Sequence, residues 1–136
     1  MSKYVAVDTC ITDQDLLVES LRSMGYRPVV YPIAAHLLDY QGKSRSQTAE
    51  VIVPRQQVGI ASNDIGFKRQ PNGVFQRISS EFDNRQKYLN QKVLERTYGK
   101  LGTLREMTEK GFALVEEVKS ADGEVTLLFE KQNAYV

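Results

Sequence analysis

Six basic side chains, Lys43, Arg45, Arg55, Lys68, Arg69 and Arg77, have the type and spacing to act together. Guanidinium and ammonium groups grip phosphates and carboxylates, so a surface gathering them would hold a polyanion or an acidic protein. Phe67 and Phe75 fall among them. RNA-binding sheets combine such stacking aromatics with Lys and Arg. A plainer reading competes. Lys68 and Arg69 are adjacent, so on a strand they point to opposite faces, and aromatic side chains on a sheet usually face the core. Both Phe residues are then core and the charges an ordinary solvated face. An anionic protein partner comes next, and single-stranded nucleic acid or a nucleotide after it.

Asp64 is the other candidate, as a ligand contact in a small-molecule or enzymatic site. It starts a strand beside Gly66, where the backbone can be closely approached. The default role for a strand-end Asp is to satisfy turn amides. Other chemistry is poorly supplied. One Cys (Cys10) and one His (His36) cannot build an N/S zinc site. Cys10 precedes a helix, but a small structural residue is its expected role. Gly42-Lys43-Ser44 is a fragment of a phosphate loop set between extended segments, and no GxGxxG pattern occurs. Glu116 and Glu117 are adjacent on a strand and cannot share a substrate. No catalytic residue, metal or cofactor is expected.

The elements that must position these residues follow from periodicity and punctuation. Tyr4 to Ile11 reads as a strand, with Val5, Val7 and Ile11 on one face. Thr12 is the expected N-cap of a helix from Asp13 to Met24, with Asp15 as capping-box partner. Gly25 ends that helix. Tyr26 to Tyr31 is a strand, placed at an edge by Pro28 and Pro32. Ile33 to Tyr40 reads equally as extended or as a helical turn. Residues 41–47 are a polar loop, Thr48 to Val53 a strand, and 55–62 a connection. Asp64 to Arg69 and Val74 to Ser79 form a hairpin around Pro71-Asn72-Gly73. Arg85 to Lys110 is helical, with a kink or break expected at Gly99 and Gly102. Phe112 to Lys119 and Glu124 to Lys131 form a last hairpin around Ala121-Asp122-Gly123. Leu21–Tyr26 and Met107–Phe112 echo each other as helix, Gly, aromatic, strand. This allows a pseudo-duplicated split-βαβ arrangement. The expected fold is α+β: one compact domain over residues 1–136, a mainly antiparallel twisted sheet with helices packed on one face.

At 136 residues the chain can bury one real core. Its net charge of +1 is unevenly spread. Residues 41–100 hold eleven Lys and Arg against five acids, a local +6, which leaves −5 for the rest. Such asymmetry bears on partners. It makes head-to-tail or symmetric self-association, a homo-oligomer, a reasonable expectation. No run reaches the roughly 18 apolar residues of a membrane helix. The first residues enter a strand pattern without the layout of a signal peptide. With a single cysteine, a cytoplasmic compartment is expected.

Several segments carry a resemblance: Thr48–Val53, Asn63-Asp64-Ile65-Gly66-Phe67, and Glu117–Phe129 around Asp122-Gly123. Tyr40-Gln41-Gly42 and Lys110-Gly111-Phe112 add to them. Taken in order along nearly the whole chain, they resemble the hypothetical chloroplast open-reading-frame family. This is a domain of unknown function found in plastids, cyanobacteria and other bacteria. The resemblance implies a small soluble protein without agreed catalytic residues, in cytoplasm or plastid stroma. It also implies an accessory factor partnered with an ATPase of the AAA type. One departure stands out. Family members usually carry an acidic, Trp-bearing segment after the central hairpin, where this chain has Ser79-Ser80-Glu81-Phe82-Asp83-Asn84 and no Trp at all. The leading functional expectation is a non-enzymatic interaction module. The alternatives are polyanion binding through the six basic residues and a small-molecule or enzymatic site near Asp64.

Overall fold

A computed structural model describes residues 3–132. Among them are seven strands and four helices, and all strand pairing is antiparallel, which makes the fold α+β. The chain divides into two compact units, one through Tyr98 and one from Gly99 onward. Among the described residues no helix is long and apolar enough to cross a membrane.

The first unit holds a five-stranded sheet in the order β1-β5-β4-β3-β2. Its strands are β1 (Tyr4–Asp8), β2 (Val29–Leu38), β3 (Ser44–Val53), β4 (Ile65–Arg69) and β5 (Phe75–Ser80). Helix α1 (Gln14–Ser23) links the two edge strands, and α2 (Arg55–Val58) is a single turn. Glu81–Arg85 forms α3, and α4 (Gln91–Glu109) begins in this unit.

The N-cap of α1 is Asp13, one residue beyond the expected Thr12. The Asp13 carboxylate accepts the Leu16 amide at 3.0 Å, where a charged acceptor suits the positive helix end. Gly25, at φ +97°, lets the Tyr26 amide reach back to the Leu21 carbonyl at 3.0 Å.

One sheet face carries the main core. Val51, Phe67 and Phe75 pack with Leu17 and Leu21 of α1, Val58 of α2, and Leu89 and Leu94 around the start of α4. Helix residues join only this cluster. A smaller cluster gathers Tyr4, Leu37, Ala49, Ile52 and Ile78. Gly66 belongs there for want of space. A Cβ on it would lie 2.7 Å from the Ala49 Cβ and 2.9 Å from a Leu37 methyl.

Strand β2 departs from expectation. It runs through Pro32 and takes in most of the ambiguous 33–40 segment. As an edge strand it tolerates a missing amide, and register shifts between Val30 and Ala35 and between His36 and Leu38 absorb the irregularity. Ser44–Gln47, expected as loop, opens β3 instead. The turn is only Asp39–Lys43, tied by the Asp39 carboxylate to the amides of Gln41 and Lys43 at 2.9 and 3.0 Å. In β1, Tyr4 is buried in the smaller cluster, while Val7, in register with Arg77 on the main-core side, is 54% exposed at the sheet edge, and Ile11 just beyond the strand is buried in the main core.

The expected helix from Arg85 is interrupted early. Residues Gln86 to Asn90 turn between α3 and α4, with Lys87 and Leu89 left-handed at φ +59° and +47°. Gly99 and Gly102, by contrast, leave α4 unbroken.

The second unit contains the rest of α4 and a two-stranded sheet of β6 (Phe112–Lys119) and β7 (Val125–Lys131). Gly123, at φ +90°, closes the turn where Ala121-Asp122-Gly123 was expected. Lys100 pairs with Glu117 at 2.5 Å. The echo of α1 is therefore local. Gly25 and Gly111 both end helices at positive φ, but β6 and β7 form their own sheet.

Candidate functional site

The antiparallel register sorts the basic residues of the hairpin. Val51, Phe67, Arg77 and Val7 sit opposite one another across four strands, so they share a face. Lys68 lies opposite Gln76 on the other face. Lys68, Arg69 and Arg77 therefore do not form one basic surface.

Arg77 is only 6% exposed, on the helix-covered face. Its guanidinium donates to the Leu89 carbonyl at 2.5 Å, the Tyr88 carbonyl at 3.1 Å and Gln91 Oε1 at 3.1 Å. It also reaches Ser79 Oγ at 3.3 Å. The Leu89 and Tyr88 carbonyls belong to the α3–α4 turn with its two left-handed residues, and Gln91 opens α4. Arg77 thus holds that turn against the sheet, and the fork of guanidinium donors suits several converging acceptors. Burial pulls its pKa down to about 10, with Tyr26 and Asp83 opposing the shift, so it stays charged at neutral pH.

The other five are distributed more widely. Arg69 is exposed, stacked 4.5 Å from the Phe75 ring centroid, with longer bonds to the Thr12 and Gly73 carbonyls. Lys68 donates to Thr48 Oγ1 at 2.9 Å. Arg45 lies over the Tyr4 ring at 5.2 Å and pairs with Asp39 at 3.6 Å. Arg55 donates to the Tyr40 carbonyl at 3.1 Å. Lys43 is exposed in the β2–β3 turn. Phe67 and Phe75 are fully buried.

Asp64 is 5% exposed. Its two carboxylate oxygens accept the amides of Leu38 and Arg55, both at 2.8 Å. Its own amide donates to the Leu38 carbonyl at 2.9 Å. Burial pushes the carboxyl above the usual range, and the two amides and Arg55 pull the other way. Tyr4 joins from β1, its hydroxyl 3.3 Å from the Leu38 carbonyl and 3.4 Å from that of Asp64. Burial first, then Asp64, raises the phenol pKa well above its ordinary value, so the hydroxyl remains a donor.

Around Asp64 lies a buried polar junction that the sequence reading did not single out. Asn63 accepts the Tyr40 amide at 2.8 Å and donates to Ser80 Oγ at 2.9 Å. Its backbone amide reaches Asp83 Oδ2 at 3.1 Å. Ser80 in turn caps α3 by accepting the Asp83 amide at 3.0 Å. Asp83 is fully buried, and its Oδ1, Ser62 Oγ and Arg55 Nε have no hydrogen-bond partner. A readable signal did exist. Ser80-Glu81-Phe82-Asp83 is a helix-capping spacing, within the segment that departs from the resembled family.

Chemically, the junction is a brace. Asp39, Asp64 and Asp83 each accept from backbone amides, and they stitch the β2 end, the β4 start and α3 together. Among the described residues no group of three or more His, Cys, Asp or Glu is placed to hold a metal ion.

A family model described as "Protein of unknown function (DUF1257)" matches residues 20–128, most of the chain. The chain belongs to the DUF1257 family. The matched span of this DUF1257 member includes Asp39, Asn63, Asp64, Asp83 and all six basic candidates, while β1 with Tyr4 lies before it. No curated protein and no solved structure matches the chain.

Proposed function

We propose that this DUF1257 member is a non-enzymatic interaction module that docks a protein segment carrying acidic side chains beside apolar ones. The observation that carries this reading is the outer edge of the five-stranded sheet. On β2, Val29, Val30, Tyr31 and Ile33 are 40, 43, 37 and 83% exposed. Such a run of uncovered apolar side chains marks a contact surface. Its electrostatic setting selects the partner. Between Gly25 and Ala49 the exposed bases are Arg27 and Lys43, while the one acid, Asp39, is buried and paired with Arg45. Pro32 removes an amide from the middle of the edge, so docking rests on side chains and not on strand addition.

The test is capture from native lysate by the intact chain and by Ile33→Asp, at low and high salt. An ATPase of the AAA type, implied by the family resemblance, is offered in the same assay as a purified candidate. The expected result is a stoichiometric acidic partner that Ile33→Asp loses and that salt weakens. The reading fails if no partner is retained, or if Ile33→Asp retains it. It yields to the polyanion alternative if single-stranded RNA binds at low salt and Lys43→Gln weakens it while Ile33→Asp does not.

A further inference from the structure

A separate edge, in the second unit, points to a different occupant. That unit lacks a core of its own. From Gly99 to Gln132 not one described residue is buried, and Leu114, Val115, Val118, Val125 and Leu128 are 37 to 57% exposed. A two-stranded hairpin is marginal in water until further strands or a helix cover it.

Four strand edges in the two sheets could accept another strand, and three carry a guard. β1 has only five residues. β2 has Pro32 and two register shifts. β6 has a register shift between Leu114 and Glu116. Short strands, prolines and bulges are the usual protections of a sheet edge. β7 has none. All seven of its residues, Val125 to Lys131, pair consecutively with β6, and its charges lie at the far end in Glu130 and Lys131.

We infer that β7 pairs antiparallel with β7 of a second copy of this chain, joining two hairpins into a four-stranded sheet about a two-fold axis. The sequence of β7 selects both the partner and the register. A two-fold through an antiparallel pair places one residue opposite itself. With Leu128 on the axis, Leu128 faces Leu128, Leu127 faces Phe129, Thr126 faces Glu130 and Val125 faces Lys131. Every central pair is apolar, and no like charges oppose. With Leu127 on the axis, Glu124 faces Glu130, a repulsive pair. With Phe129 on the axis, Glu130 and Lys131 face the leucines. This inference concerns another edge and another occupant than the β2 proposal, and the two stand or fall separately.

The experiment uses the full chain with Cys10→Ser, since Cys10 is an exposed thiol. Light scattering and sedimentation from low micromolar to several hundred micromolar are expected to show a rise from 15.4 kDa to twice that mass. Leu128→Lys opposes two ammonium groups on the axis and is expected to hold the chain as monomer across the range. Leu128 is 45% exposed, so this variant keeps its circular dichroism and melting temperature. Leu128→Cys is expected to cross-link into dimer with a short bismaleimide, and Thr126→Cys, displaced along the strand, far less. A monomer at every concentration overturns the inference. So does a dimer that survives Leu128→Lys, or one that cross-links at Thr126→Cys in preference to Leu128→Cys. Ile33→Asp is expected to leave the mass unchanged, which separates this outcome from the fate of the β2 reading.

Discussion

Arg77 and Asp64 carry opposite charges, yet each serves the backbone around it. Removing the guanidinium with Arg77→Met would leave the Leu89 and Tyr88 carbonyls without their donor. An orphaned buried acceptor costs about 1–3 kcal/mol. The expected outcome is a clear fall in urea midpoint, with Lys43→Gln as an unaffected control. At Asp64 the informative variable is pH. Its folded-state carboxyl is raised chiefly by burial, so the folded protein keeps this proton to higher pH than the unfolded chain does. Its contribution to stability is therefore fully present below the unfolded pKa, and is lost as pH rises through the raised folded value. Urea melts of wild type and Asp64→Asn, run from about pH 3.5 to about pH 6.5, should show their stability difference shifting against wild type as pH rises. A constant difference would contradict the assignment. From sequence, the amide-satisfying role of a strand-end Asp was readable in Asp64 from its residue type and place at the strand start, although the amides it takes, those of Arg55 and the more distant Leu38, were not. Arg77 was not readable in the same way. A basic residue on a hairpin arm looks solvated until the register sets it beside Phe67 and under a turn some ten residues further on.

Glycines separate the elements that are crowded from those that are not. Gly66 admits no side chain, because a Cβ would lie 2.7 Å from the Ala49 Cβ. Gly66→Ala is expected to destabilise by about 1–3 kcal/mol, the usual cost of overpacking. Gly99 is the reverse case, with open space around its Cβ position inside the unbroken α4. Gly99→Ala is expected to stabilise by about 0.5–1 kcal/mol through helix propensity. Thermal melts of the two variants should move in opposite directions. Element types were largely legible, since α1, the central hairpin and the last hairpin each carry periodicity and a turn residue at positive φ. The errors lie where local punctuation met a tertiary exception. Pro32 sits inside β2 because that strand is an edge, and Lys87 and Leu89 take left-handed turns without a glycine to announce them.

Across the whole molecule, order is unevenly invested. The first unit contains every buried residue among those described, while the second contains none. Hydrogen exchange is therefore expected to be slowest at Val51, Phe67 and their cross-strand partners, and fast at the β6 and β7 amides in dilute solution. If β7 joins a second copy, its protection rises with protein concentration while that of β4 does not. The charge asymmetry was legible at this scale, but its meaning was not. The +6 segment includes a buried brace at Arg77 and an Arg45 occupied by Asp39 and Tyr4, so a charge count overstates what the surface presents.

The strand order also has a consequence in time. β1 has one neighbour, β5, with Tyr4 paired to Ser80. On the ribosome β1 must wait until its distant partner has been made, whereas β2, β3 and β4 each meet the next strand as it appears. Loops that long delay pairing. Because the Tyr4 hydroxyl reaches the carbonyls of Leu38 and Asp64, the brace beneath β2 closes only when that first strand docks. In a nascent chain, the sheet edge beside β5 and the junction at Asp64 should mature together and last.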